Sequence, residues 1–267
     1  MRLKLISVVC FLLVAVFTQA QQTPAPATPK PVEDKTKFRP DEIRRVVNLQ
    51  VTYDYQVPSA DMAKRFGNNS AIGFGSFFKD KKNFFYGIEG AFMFGGDVKE
   101  TGILDSLRNS DYRIIGINGA YSNITISQRG YFLLAKGGKV FPVFKRNRNS
   151  GIMVSGGVGF MQHKIRIAVP DNNVPLLDKE GRKGYDRLTN GLTLNQFVGF
   201  YYLDREKFIN FYVGYNLMQG FTQSRRDWNY DTRTQDTQKR MDMLGGIRFG
   251  WIIPIYPSSK TDEYIFY

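Results

Sequence analysis

Cysteine is all but missing: Cys10 is the only one in 267 residues, and it lies inside an apolar amino-terminal run. Disulfides, thiolate nucleophiles and cysteine metal sites are therefore excluded from the rest of the chain. Histidine is as scarce, with His163 alone. There is no glycine-rich phosphate loop and no EF-hand spacing, so neither a metal nor a cofactor is expected. Long apolar runs are wanting too. The stretch from Leu5 to Phe17 is shorter than the about 20 residues a membrane helix needs.

That stretch has a different use. Arg2 and Lys4 precede it and Thr18, Gln19 and Ala20 follow, the layout of a charged region, an apolar region and a small-residue cleavage site. A signal peptide over residues 1–20 is expected, with export. Cys10 lies well short of the cleavage point and is a poor candidate for a lipidated first residue. The formal charge of +13 falls to +11 without Arg2 and Lys4. An exported basic protein meets anionic lipid headgroups and lipopolysaccharide phosphates rather than nucleic acid.

Residues 21–44 carry Pro24, Pro26, Pro29, Pro31 and Pro40 with few core-building side chains, and read as a Pro-rich periplasmic linker. From Arg45 a period of two takes over. Val47, Leu49, Val51, Tyr53 and Tyr55 alternate with Asn48, Gln50, Thr52, Asp54 and Gln56, giving one apolar and one polar face of a strand. The same alternation marks residues 72–79, 84–94, 130–143, 152–160, 191–203, 208–218 and 241–256, although Phe132 and Leu134 blur the phase of the fourth. Segment 95–128 is open: its Ile114 to Ile117 and Ile124 to Ile126 pieces either extend strands or form a small loop subdomain.

Eight apolar faces with nothing to cover them point to an all-β, eight-stranded antiparallel outer-membrane β-barrel over residues 45–267, its apolar side toward lipid. Connections alternate long and short. Short turns belong on the periplasmic side, which places both termini there.

The inward parity holds Asp54, Glu89, Lys136, Asp242 and Arg248. An eight-stranded lumen is filled by side chains, so these charges are expected to pair as a lumenal network. His163 has inward parity near the outer end, where a lipid A or peptide hydrolase would place such a residue. Ser155 is eight residues away, roughly 26 Å at about 3.3 Å per residue, so the two form no dyad. A hydrogen-bonding rim histidine is the competing reading, and a narrow channel is a further alternative for the lumen. The loop with Arg225, Arg226, Trp228, Tyr230 and Arg233 mixes the residue types enriched at binding hot spots, making it a partner-binding candidate.

Several segments carry a resemblance: Gly159 to Ile165 (GFMQHKI), Gly184 to Leu188 (GYDRL), Phe221 to Arg226 (FTQSRR) and Gly250 to Tyr256 (GWIIPIY). With the barrel pattern they resemble the small outer-membrane barrel proteins common in Bacteroidota, the OmpA-type and PorT-like group. The resemblance implies a non-enzymatic accessory, assembly or binding component of an envelope complex serving secretion or outer-membrane biogenesis. Its expected contacts are outer-membrane lipid, lipopolysaccharide and an envelope protein partner.

Overall fold

The computed structural model describes residues 43, 45–169, 173–204 and 209–256; the expected signal peptide and nearly all of the Pro-rich segment lie outside them. In chain order the elements are β1 (Val46–Ala60), a one-turn helix α1 (Met62–Arg65), β2 (Asn69–Lys79), β3 (Phe84–Gly95), the short strands β4 (Ile114–Ile115) and β5 (Tyr121–Ser122), β6 (Thr125–Pro142), β7 (Gly151–Ala168), β8 (Thr189–Tyr202), β9 (Phe211–Ser224) and β10 (Lys239–Ile255). Eight of these strands close into one antiparallel ring, β1-β10-β9-β8-β7-β6-β3-β2. β1 pairs with β2 on one side and with β10 on the other, so no edge is left unpaired.

The two faces are sorted inside out relative to a soluble barrel. On β1, Asn48, Gln50, Thr52, Asp54 and Gln56 are buried while Leu49, Tyr53 and Tyr55 are exposed. Phe132 and Leu134 prove to be buried inside and Tyr131 and Leu133 to lie outside; the phase is regular, and the lumen at that height is itself apolar. Outside, aromatics gather toward both ends. Tyr53, Phe92 and Tyr131 share one level, Trp251, Phe211 and Tyr202 another, with Ile88, Ala135, Val158 and Leu194 between them.

Inside, each long charged side chain faces a neighbour with none. Glu89 lies opposite Gly75, Lys136 opposite Gly87 and Gly157, and Arg248 opposite Gly214. A Cβ on Gly157 would come to 3.0 Å from Lys136 Cγ, so glycine here makes room for the lysine stem.

Segment 95–128 does both things the sequence left open. Residues Thr101–Leu107 form a 3-10 helix and β4 and β5 a two-residue ladder, whereas Ile126 belongs to β6, paired with Ile167.

Candidate functional site

The centre of the lumen is an ion cluster. Arg248, 0% exposed, donates from Nε and Nη2 to the two oxygens of Asp54 at 2.6 and 2.9 Å. Its Nη1 makes a further ion contact with Glu89 Oε1 at 2.8 Å. Lys136 Nζ donates to Glu89 Oε2 at 2.7 Å, as does Gln50 Nε2 at 2.9 Å, and Gln50 Oε1 accepts from Tyr212 at 2.8 Å. Two carboxylates thus meet two cations, which is what burial of these charges demands. Beside the cluster, among Gln50, Lys136, Ser155, Tyr212 and Arg248, the void is about 20 Å³, space for one water.

Apolar plugs close the lumen on both sides of this layer. Met93, Phe132, Leu134, Met161, Met218 and Leu244 fill the outer side; Phe77, Phe85, Val140, Met153, Phe197 and Ile252 fill the other. Tyr201 Oη and Tyr212 add polar tips to an otherwise apolar wall.

Asp242 is not part of that cluster. It stands on the same face of β10 as Arg248, six residues earlier and so roughly 20 Å along the strand. There it accepts hydrogen bonds from His163 Nε2 at 2.9 Å and Thr222 Oγ1 at 2.5 Å. His163 is 1% exposed, and the Phe66 ring covers it edge-on at 5.6 Å. The imidazole's hydrogen bond goes to Asp242 and not to a hydroxyl, and Ser155 lies well below it on β7.

Above this, the long connections fold into a cap with Arg65 at its hub. Arg65 reaches Glu100 in 96–124 at 2.9 Å, Thr189 at the start of β8 at 3.0 Å and Asp236 in 225–238 at 3.4 Å. It starts from the 61–68 connection, so one guanidinium joins three of the connections at this end to the first residue of β8. Burial pushes Arg65 below its ordinary pKa while Glu100 and Asp236 push it back up. For Asp236, burial acts upward but is outweighed by the Arg240 hydrogen bond at 2.6 Å and charge, and its carboxyl is held below its ordinary value.

Around that hub, Arg187 bridges Glu100, at 3.2 Å, and Asp231. Met62 and Phe66 are fully buried over the barrel mouth, and Phe66 pairs with Val98 to tie the first two connections together. Val98, Ile103, Leu104, Ile114, Val174 and Leu177 share one apolar cluster with the outer lumen. A cleft of about 780 Å³ opens beside the hub, lined by Arg65, Glu100, Arg187, Asp231, Asp236 and Arg240 among others.

The aromatic-basic loop divides in two. Arg226 is committed to Asp186, at 2.7 and 2.5 Å, a hydrogen bond that raises its pKa, and Arg225 Nε donates to Asn190 at 2.6 Å. Trp228 and Tyr230 are each 49% exposed, and Arg233 is exposed with a left-handed φ of 52°. Trp228, Tyr230 and Arg233 therefore form the outward part, with Tyr230 propped edge-on against Tyr185 at 5.5 Å. Sequence reasoning missed Arg65, which sits in a polar stretch without periodicity, and the exposed apolar tip of 96–124, where Tyr112 and Ile117 are each 78% exposed.

No family model matches the chain, and no curated protein does. Among solved structures it is similar to Ail, the attachment invasion locus protein of Yersinia pestis, at 10% identity over 78% of this chain and 99% of that one, TM-score 0.36. Neisserial surface protein A follows at 9% identity over 76% and 95%, TM-score 0.35. The outer membrane protein OprG of Pseudomonas aeruginosa gives 13% over 79% and 97%, TM-score 0.37. Likeness this weak adds nothing to the fold, which rests on the chain's own strand pairing.

Proposed function

We propose that this protein is a non-enzymatic outer-membrane barrel that presents a folded cap as the binding or assembly surface of an envelope complex. Export through a cleaved signal peptide, with both termini periplasmic, belongs to this reading, as does kinship with the Bacteroidota PorT-like barrels. The membrane setting is supported by the exterior: Leu49, Phe74, Ile88, Leu133, Val158, Val198, Tyr215 and Ile247, one from each barrel strand, are all exposed. Soluble monomers rarely expose an apolar patch beyond about 300–600 Å², whereas lipid covers such a belt and aromatics mark its two edges.

The observation that carries the binding reading is the Arg65 hub. Ordering the connections that Arg65 joins costs conformational entropy, and the ordered cap stands over a lumen packed shut, so it serves no conduction path. It offers instead Trp228, Tyr230 and Arg233 and the apolar tip at Tyr112 and Ile117, surfaces suited to an envelope protein. A channel is disfavoured by the two apolar plugs, and a hydrolase by the burial of His163 beneath Phe66.

The test is affinity capture of the tagged full chain from membranes in mild detergent, beside an Arg65→Ala variant. A stoichiometric partner that is lost in the variant, with the barrel still resistant to unfolding in cold detergent, is expected. Capture of nothing, or of a partner indifferent to Arg65, contradicts the proposal.

A further inference from the structure

A compact cluster of exposed cations stands at the end of the barrel away from the cap. At the capped end Arg65, Arg187, Arg226 and Arg240 each face a carboxylate within ion-pair distance. At the other end, Lys81 and Lys82 in turn 80–83, and Lys145, Arg146 and Arg148 in turn 143–150, are all exposed. None of them has an ion-pair partner among the described residues. The one carboxylate of the two turns, Asp80, is used locally: its Oδ1 accepts from the backbone N–H of Lys82 at 2.8 Å and of Phe84 at 2.9 Å.

The turns are also fastened together. Asn83 Nδ2 donates to the Arg148 carbonyl at 3.0 Å, the Asn83 carbonyl accepts from Val140 N–H at 2.9 Å, and Lys79 Nζ donates to Asn149 Oδ1 at 3.0 Å. The like charges therefore sit on one braced double turn and cannot disperse as they would on separate loops. Their height is marked by Lys139, whose ammonium lies 4.6 Å from the Phe84 ring and 5.5 Å from that of Phe141, with Phe144 exposed close by. A lysine whose stem lies along apolar rings while its ammonium reaches outward suits the edge of an apolar belt.

We infer that the double turn formed by 80–83 and 143–150 binds the phosphate groups of anionic phospholipids in the leaflet at the short-turn end of the barrel. Phosphates arrayed in a plane at the belt's edge supply a counter-charge that these five side chains do not find among the described residues, and basic residues at that depth are drawn to an anionic leaflet. The inference rests on the membrane reading and is independent of the cap.

The experiment places the full chain in vesicles of phosphatidylcholine with and without phosphatidylglycerol, and counts the lipids retained by native mass spectrometry. The unaltered protein is expected to retain phosphatidylglycerol in preference to phosphatidylcholine. In a Lys145→Gln, Arg146→Gln, Arg148→Gln variant that preference should fall by at least about fivefold, since each basic residue near an anionic surface contributes on the order of that factor. Equal retention of the two lipids, or a variant that keeps the preference, overturns the site while leaving the barrel in the membrane. A chain that enters neither vesicle overturns the membrane reading and the site with it.

Discussion

Asp54 and Arg248 stand directly opposite each other across the seam where the first and last barrel strands meet, joined by two hydrogen bonds of 2.6 and 2.9 Å. The closing register of the ring is therefore also a buried ion pair. Arg248→Gln leaves Asp54 and Glu89 with Lys136 as their only cation, and is expected to cost about 3–5 kcal/mol, the usual penalty for one orphaned buried partner. Replacing all four members by neutral residues of similar volume is expected to cost much less. Urea unfolding of the detergent-folded protein measures both.

Gly250 faces the lumen under Tyr212. A Cβ there would come to 2.2 Å from the Tyr212 ring, so Gly250→Ala must displace that ring and break its hydrogen bond to Gln50, which itself steadies Glu89. A loss of about 1–3 kcal/mol is expected, the range for overpacking a filled core. An additional Tyr212→Leu change gives the new methyl a softer neighbour. Unfolding midpoints should show the two substitutions to be non-additive.

Planar bilayers containing the purified barrel should stay silent. A void of about 20 Å³ beside the ion cluster, with apolar plugs on either side, offers no continuous water path. Discrete conductance steps whose size changes in Arg248→Ala would instead favour the narrow-channel reading.

The cap should loosen in acid. Asp236 is held below its ordinary pKa of 3.8, so its ionised form favours the folded cap. That contribution is complete above the unfolded value near 3.8 and is lost as pH falls through the lower folded value. Protease cleavage within 225–238 is expected to be slow at neutral pH and to accelerate below about pH 4, using an acid-active protease. Asp236→Asn should be cut readily at neutral pH and show a weaker acid response.

The barrel was legible because one face of each strand is apolar and exposed while the other lines a packed lumen, so Leu49 and Asn48 obey a period of two. Where the lumen itself turns apolar, at Phe132 and Leu134, that contrast disappears and only pairing reveals the phase. Parity also gives a side chain's face and not its height, which is why Asp242 and Arg248 looked like members of one network although they lie at different levels. Arg65 left no trace of its role. Its partners at Glu100, Thr189 and Asp236 are distant in sequence, and contacts among irregular segments have no period to read.

The most direct test of the account places single cysteines, one at a time, at residues 131 to 136 of β6 in a Cys10→Ser background, where each is the only thiol. Each is spin-labelled in lipid vesicles, and collisions with dissolved oxygen and with a water-soluble nickel complex are compared. The account predicts high oxygen and low nickel access at Tyr131, Leu133 and Ala135, and little access to either at Phe132 and Leu134. Nickel access as high at Leu133 as in bulk water, or no alternation along the strand, would contradict a lipid-facing barrel with a closed lumen.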